Sequence, residues 1–147
     1  MMNRKGSVLT LTVLATGFGL VGATWAASPD DKTPLHEAME VVQKKDAFIK
    51  KNYKTAAVFK KNQKEFVESA KALVTLGKSV RDDAGPAKEQ KRTQKEWTDL
   101  MDAYVKEADA YAIEVAKPST TAEIAKEKYK PVIASCSACH TVFRKED

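Results

Sequence analysis

The sequence predicts an all-α fold, specifically an antiparallel up-down-up-down four-helix bundle. Only six glycines and five prolines occur in 147 residues, and the abundance of Ala, Lys, Glu and Leu favours helices over strands and turns. Apolar residues recur at helical spacing in four segments, and no long stretch alternates as a strand would. The connections between these segments are short, which favours antiparallel packing of neighbouring helices.

The first two predicted helices have clear boundaries. Thr33 is a good N-cap residue and is followed by proline at the first helical position, so the first helix should start there and run to about Asn52. The second follows an apolar stripe from Phe59 to Val80. Residues 82–86, which include Gly and Pro, should stop it.

The third and fourth predicted helices occupy the C-terminal half. An apolar stripe from Trp97 to Tyr111 defines the third helix, which should close before Lys117. Thr120 and Glu123 are spaced as a capping box and should open the fourth helix.

Proline at position 131 lies inside the fourth helical pattern. Its missing N–H and its ring should kink the helix or restart it, so we expect a bend near Tyr129.

The N-terminal residues predict an exported protein. A short basic start precedes the charge-free apolar run 8–23, and small residues follow it, which is the layout of a secretory signal peptide. We expect cleavage after Ala26, leaving a single domain at residues 27–147 in the periplasm. The alternative is an uncleaved membrane anchor, although the run is shorter than the roughly 20 residues that a spanning helix needs.

The charge pattern argues against nucleic acid as a partner. The whole chain has a net charge of +5. Removing the two basic residues of the signal leaves 23 basic and 20 acidic residues, a net charge of +3. The lysines lie in mixed runs and are not interleaved with aromatic residues, as a nucleic-acid surface would require. They are expected to form solvated helix faces, with at most a weak preference for acidic partners.

The chemistry of the chain is concentrated in one motif. Its only two cysteines, Cys136 and Cys139, are followed directly by His140, which gives the C-x-x-C-H signature of covalent haem attachment. Two thiols on one helical turn can add to the two vinyl groups of one porphyrin. The next residue then supplies an imidazole for the iron.

Three other interpretations of the motif are weaker. A disulfide oxidoreductase carries its cysteines at the start of a helix that follows a strand, whereas these lie late in a helix. A zinc site needs four ligands, and His36 is the only other histidine. A disulfide would close an unusually tight loop.

The motif, continued as Thr141-Val142-Phe143-Arg144, resembles the class II c-type cytochromes, the cytochrome c′ family, in which an aromatic and a basic residue commonly follow the haem histidine. The resemblance implies one covalent haem c per chain, with His140 as the proximal ligand. It also implies that the first helix supplies whatever faces the other side of the haem. Homodimers are common in the family, but nothing in this sequence indicates one.

The segment 35–40, Leu-His-Glu-Ala-Met-Glu, resembles the start of Met-ligated bundle cytochromes, so Met39 is the expected second axial ligand. The alternatives are His36 and an open site, with Met39 then serving only as core. With Met39 bound, the family implies a one-electron carrier that acts with redox protein partners. An open site implies a protein that binds nitric oxide or carbon monoxide.

We do not expect an enzyme, because no second constellation of histidine, carboxylate and nucleophile occurs and no catalytic residue is assigned. Trp97, Tyr104 and Phe143 are candidates to exclude water from the porphyrin, although an ordinary core explains them equally well. Arg144 is a candidate to pair with a propionate.

Overall fold

The fold is entirely α-helical over the part of the chain that can be described, as the sequence predicts. The computed structural model describes residues 33–144, which contain six helices and no strand. The helices are α1 (Pro34–Asn52), α2 (Ala56–Lys61), α3 (Gln63–Val80), α4 (Gly85–Glu89), α5 (Gln94–Val115) and α6 (Ala122–Phe143). None of these six combines the length and the hydropathy that a membrane crossing requires. The predicted signal peptide at 1–26 lies outside the described residues.

Helix α1 begins and ends where the sequence predicts. The Thr33 side-chain oxygen accepts a hydrogen bond from the backbone N–H of His36 at 3.2 Å, which satisfies one of the free donors of the first turn. Helix α5 is longer than its apolar stripe because a capping box extends it. In that box the Thr93 side chain accepts from the Glu96 N–H, while the Glu96 carboxylate accepts from the Thr93 N–H at 2.8 Å.

The second predicted helix is divided in two by Asn62. This residue ends α2 and precedes α3, and its side-chain amide donates to the Val58 carbonyl at 2.9 Å. Asparagine competes for backbone partners in this way, so it favours helix ends over helix interiors. The apolar stripe is continuous across the break, which is why periodicity alone does not reveal it.

The predicted stop after Val80 is confirmed, but part of that segment forms the short helix α4. The Asp83 carboxylate accepts from the Gly85 N–H at 2.8 Å and turns the chain. Pro86 and Ala87 are both buried, so α4 covers one end of the helix assembly.

The start of α6 is one residue later than predicted, so the capping box at Thr120 is wrong. Thr121 is the cap, with its side chain accepting from the Ile124 N–H at 3.3 Å. The buried Thr120 hydroxyl instead lies 2.6 Å from the Glu114 carbonyl oxygen and 2.9 Å from its carboxylate, which ties the end of α5 to the loop.

Helix α6 continues through Pro131 without interruption, so the prediction that Pro131 restarts the helix is wrong. The helix tolerates the proline because Pro131 and Glu127, whose carbonyl loses its donor, are both exposed residues. The bend expected near Tyr129 stays a prediction.

The core consists of two clusters stacked along the helices. The larger one draws on α1, α3, α5 and α6 and on Phe59 of α2. The smaller one lies where α1 begins and α6 ends, and we call this region the motif end. Its buried members are Ala38, Val80, Ala87, Trp97, Met101 and Cys139.

Candidate cofactor site

The two cysteines lie on the inward face of α6. Inward positions recur on this helix at alternating spacings of four and three residues, namely Ala125, Tyr129, Val132, Cys136, Cys139 and Phe143. Cys139 is 7% exposed and belongs to the smaller cluster, whereas Cys136 is partly buried against the larger one. Both thiols are free. The C-x-x-C spacing therefore continues the apolar stripe of the helix.

His140 lies beside the cysteines on the open side of α6. At about 100° per residue, His140 is roughly 40° from Cys136 around the helix and Cys139 is roughly 60° away in the other direction. The three side chains thus share an arc of about 100° that runs from the buried side to the exposed side. The His140 side chain is exposed and has no hydrogen bond or ion pair to any residue in the range 33–144.

Helices α1 and α6 border the site, and their backbones are not packed closely against each other. Close backbone packing joins α1 to α3, α3 to α5 and α5 to α6, but α1 and α6 are not among the closely packed pairs. One long side chain reaches between them, since the Tyr129 hydroxyl donates to the Asp46 carboxylate at 2.9 Å.

This hydrogen bond sets the register between Met39 and Cys136. Met39 lies seven residues before Asp46 on α1, and Cys136 lies seven residues after Tyr129 on α6. Seven residues make two helical turns. Met39 therefore lies on the same face of α1 as Asp46, and Cys136 on the same face of α6 as Tyr129, each roughly 10 Å further toward the motif end. Ala38 and Cys139 share the smaller cluster, which confirms that both displacements lead to the same end. Met39 is half-buried.

His36 is directed differently from Met39. Its imidazole Nε2 lies 3.3 Å from the Glu40 carboxylate one turn along α1, and its side chain is 56% exposed. The described arrangement therefore favours Met39 over His36 as the residue of α1 that faces α6.

Burial keeps both thiols protonated near neutral pH. It raises the pKa of Cys139 to about 11, with the neighbouring Cys136 as a smaller cause. It also raises the pKa of Cys136, and the negative charge of Asp46 adds to that effect. A dithiol that exchanges disulfides needs a lowered thiol pKa, so these surroundings argue against a disulfide oxidoreductase.

A buried hydroxyl without a partner faces the same region. Tyr104 of α5 is 5% exposed, and its OH makes no hydrogen bond within residues 33–144. Desolvation raises the pKa of this phenol, and Cys136 and Asp46 add to the shift because their charges are close. Buried donors are nearly always satisfied in folded proteins, so an unpaired one is compatible with a polar atom of a ligand. The Ser69 and Tyr111 hydroxyls are likewise buried and unpaired within residues 33–144, so this feature alone does not mark the site.

Aromatic contacts form the apolar wall of the site. Trp97 packs edge-on against Phe143 of α6, with ring centroids 5.2 Å apart. The Trp97 Nε1–H donates to the Val80 carbonyl at 3.0 Å, so the indole is fixed between α3 and α5.

These features fit a covalently attached porphyrin. Two neutral inward thiols, an exposed imidazole on the same arc, a thioether on α1 in the same register, and apolar walls are the donors and surroundings that such a group needs. Within residues 33–144, no group of three or more His, Cys, Asp or Glu side chains is arranged to hold a bare metal ion.

No family model matches the chain, and no curated protein and no solved structure matches it either.

The polar pair at the site, Asp46 and Tyr129, is not evident from the sequence. The available signal was heptad spacing, since Asp46 is seven residues from Met39 and Tyr129 is seven residues from Cys136. A carboxylate and a phenol at those positions suggest polar groups on otherwise apolar faces, but only the fold shows that they meet.

Proposed function

We propose that the chain is an exported electron-transfer protein that carries one covalently bound haem c. Cys136 and Cys139 form the thioether bonds, His140 is the proximal axial ligand and Met39 is the distal one. The observation that carries the proposal is the register that the Tyr129–Asp46 hydrogen bond sets between α1 and α6, which brings Met39 and the C-x-x-C-H motif to the same end. The redox partners would be other proteins.

The finer architecture belongs to the same proposal. We infer an antiparallel up-down-up-down four-helix bundle built from α1, α3, α5 and α6, with α2 and α4 as short additions at its two ends. Short connections and the packing of α1 on α3, α3 on α5 and α5 on α6 support it. The haem would lie between α1 and α6, which are not among the closely packed pairs.

When bound, the haem supplies reversible one-electron chemistry of iron. The chain's own residues set the conditions for it. With His140 and Met39 both holding the iron, no coordination position would be left for a substrate, which would favour electron transfer over bond-making chemistry. A thioether ligand raises the reduction potential relative to a second imidazole, because sulfur favours the ferrous state.

Three buried or half-buried aromatic residues shape the environment. Trp97 and Phe143 exclude water from the motif end, and a low local dielectric favours the iron state of lower net charge. The Tyr104 hydroxyl is free to donate a hydrogen bond to the cofactor, which would satisfy a buried donor that the chain alone leaves unpaired.

The visible spectrum of the reduced protein, with and without carbon monoxide, tests the assignment. We expect a low-spin spectrum that the gas does not change. Met39→Ala should convert it to a high-spin spectrum that shifts when carbon monoxide is added. The matched control is Met101→Ala, which removes the other methionine of the motif end and should leave the low-spin spectrum in place.

Each outcome separates one part of the proposal from the rest. A wild-type protein that binds carbon monoxide has an open site and is a gas-binding haem protein, which overturns the electron-carrier function. If Met101→Ala loses the low-spin spectrum and Met39→Ala keeps it, the distal ligand is Met101 of α5 and the assignment to Met39 is wrong. Haem that is released from the chain on denaturation would overturn the thioether bonds of Cys136 and Cys139.

A further inference from the structure

The lysines are concentrated at the end of the molecule opposite the motif end. Residues 50–64 contain six lysines and no acidic residue. The other described residues carry 15 basic and 16 acidic side chains. The segment 50–64 is therefore strongly positive, and the remaining described residues are nearly balanced in charge. Two of its six lysines have carboxylate partners just outside the segment, Lys50 with Asp46 at 2.8 Å and Lys64 with Glu68 at 3.9 Å.

Contacts with the loop between α5 and α6 place residues 50–64 at this end. The Lys60 ammonium donates to the Pro118 carbonyl at 2.6 Å. The Gln63 side chain donates to the carbonyls of Val115 and Lys117 at 3.2 and 2.9 Å. We call residues 50–64, together with the first turns of α6 up to Lys126, the basic end.

A cleft in the basic end brings lysines from two parts of the chain together. Tyr53 and Lys54, between α1 and α2, line it with Ala122, Glu123 and Lys126 of α6. Lys54 and Lys126 are exposed and have no hydrogen-bond or ion-pair partner within residues 33–144.

Helix stabilisation explains only some of these lysines. Those in the last turns of α1 and α2 complement the helix dipoles. Lys54, which precedes the N-cap of α2, and Lys64, in the first turn of α3, lie where a positive charge opposes the dipole. The Lys64 ammonium lies 3.9 Å from the Glu68 carboxylate one turn later. An ion pair on a helix is more favourable when the acidic residue comes first, and here the lysine does. Their positions suggest an external anionic partner.

Exposed aliphatic side chains accompany the charge. Four large aliphatic residues are exposed in the described part of the chain, and three of them lie near this end: Val58 at 38%, Ile113 at 59% and Ile124 at 42%. Val58 lies in α2 between Lys54 and Lys60, on a short helix that buries Phe59 on its other side.

The basic end is too far from the motif to be a docking site for electron transfer. Ala122 lines the cleft and Cys136 lies 14 residues later on the same helix, a separation of roughly 20 Å at 1.5 Å per residue. A partner seated on the basic end would leave the motif end facing away from it. Such a contact would anchor or orient the molecule.

We propose that the basic end docks on an anionic membrane surface. The seven cations of the basic end, six in residues 50–64 and Lys126, are all lysine and none is arginine, whereas protein interfaces are enriched in arginine and depleted in lysine. Lysine clusters beside exposed aliphatic residues fit lipid headgroups, with the apolar groups at the headgroup boundary. The proposal goes beyond electron transfer, does not rest on the haem and does not involve the segment 1–26.

Vesicle sedimentation tests this. The protein is purified after export, with its N-terminus determined, and mixed with vesicles of phosphatidylglycerol and phosphatidylcholine in equal parts or of phosphatidylcholine alone. We expect binding only to the anionic vesicles and release as salt is raised. Lys51→Gln/Lys54→Gln/Lys61→Gln should weaken binding by about 100-fold, at about five-fold per lysine.

The matched control removes three exposed lysines near the motif end, Lys78→Gln/Lys88→Gln/Lys91→Gln, and should change binding by less than about five-fold. Equal weakening by both triple variants overturns the assignment to the basic end. Capture by polyglutamate without vesicle binding points to an acidic protein and overturns the membrane proposal. Equal binding to neutral vesicles indicates an uncleaved N-terminal anchor and also overturns it. The visible spectrum should be the same in all three proteins, so the outcome is separate from that of the haem assignment.

Discussion

At Gly77 the backbone of α3 approaches α5 so closely that no side chain fits. A Cβ atom at this position would lie 2.8 Å from the ring of Tyr104 and 2.8 Å from the Val105 methyl. The absence of a side chain at Gly77 therefore fixes where Tyr104 packs, and with it the buried hydroxyl beside the motif.

We expect Gly77→Ala to destabilise the protein by about 1 kcal/mol. Overpacking a filled core costs about 1 to 3 kcal/mol, and the better helix propensity of alanine returns about 1 kcal/mol. Urea unfolding measures the difference. Lys78→Ala, at the next and exposed position of α3, is the control and should be nearly neutral. A stabilised Gly77→Ala protein would mean that Tyr104 can move aside.

The hydrogen bond from Tyr129 to Asp46 links α1 to α6 below the motif. Tyr129→Phe should cost about 1 kcal/mol, less than the roughly 1.5 to 3 kcal/mol of a bond to a charged group, because Asp46 is partly exposed and can be solvated by water. A double-mutant cycle with Asp46→Asn, followed by urea unfolding, isolates the interaction. Additive effects of the two substitutions would contradict it.

Among the described helices, α5 is the one whose N-terminus has a full capping box. Thr93→Ala removes the side-chain half of its capping box and should cost about 1 kcal/mol of stability, whereas Thr93→Ser should retain most of it. Thermal unfolding of the two variants makes the comparison. Equal stability would show that the rest of the box suffices.

The same substitution has a consequence for titration. The pKa of Glu96 lies below its ordinary value, chiefly because the Thr93 backbone N–H donates to its carboxylate and then because the Thr93 hydroxyl does. Thr93→Ala removes only the second donor, so the pKa of Glu96 should rise partway toward 4.5 in an NMR titration. Because the folded pKa is depressed, this stabilisation is present above the unfolded pKa and is lost as pH falls through the folded one.

Over the whole molecule, the two clusters differ in how much core they contain. The larger cluster spans the four long helices, whereas the smaller one at the motif end has six buried members, two of them alanine in α1 and α4. A region with few buried apolar contacts opens more easily than the rest of a fold.

We therefore expect hydrogen exchange to distinguish the two ends in a haem-free Cys136→Ser/Cys139→Ser chain. Amides of α4 and of the start of α1 should exchange faster than those of the middle of α3 and α5. In the haem-loaded protein the difference should shrink, because a ligand bound only to the folded state suppresses local opening. Uniform exchange along both proteins would contradict this prediction.

The sequence by itself determined the helical fold class and predicted the candidate cofactor-binding residues. Helical periodicity and sparse Gly and Pro predicted the helices, since both depend on local spacing and backbone preference. It also singled out Cys136, Cys139 and His140, because their chemistry requires neighbours along one helical turn. The break at Asn62 and the cap at Thr121 were not predicted. Both arise where a side chain competes with the backbone for hydrogen bonds, which apolar periodicity does not reveal.

Only the tertiary structure decided which distant residues meet. That Asp46 of α1 meets Tyr129 of α6, which sets the register of Met39 relative to Cys136, depends on how packing rotates α1 about its axis. The pairing of His36 with Glu40, by contrast, follows from their spacing of four residues on one helix. The pairing of Asp46 with Tyr129 and the gathering of lysines into the basic end depend likewise on which helices are neighbours and which ends coincide. These relations follow from burying apolar faces of several helices at once, so no single segment contains them.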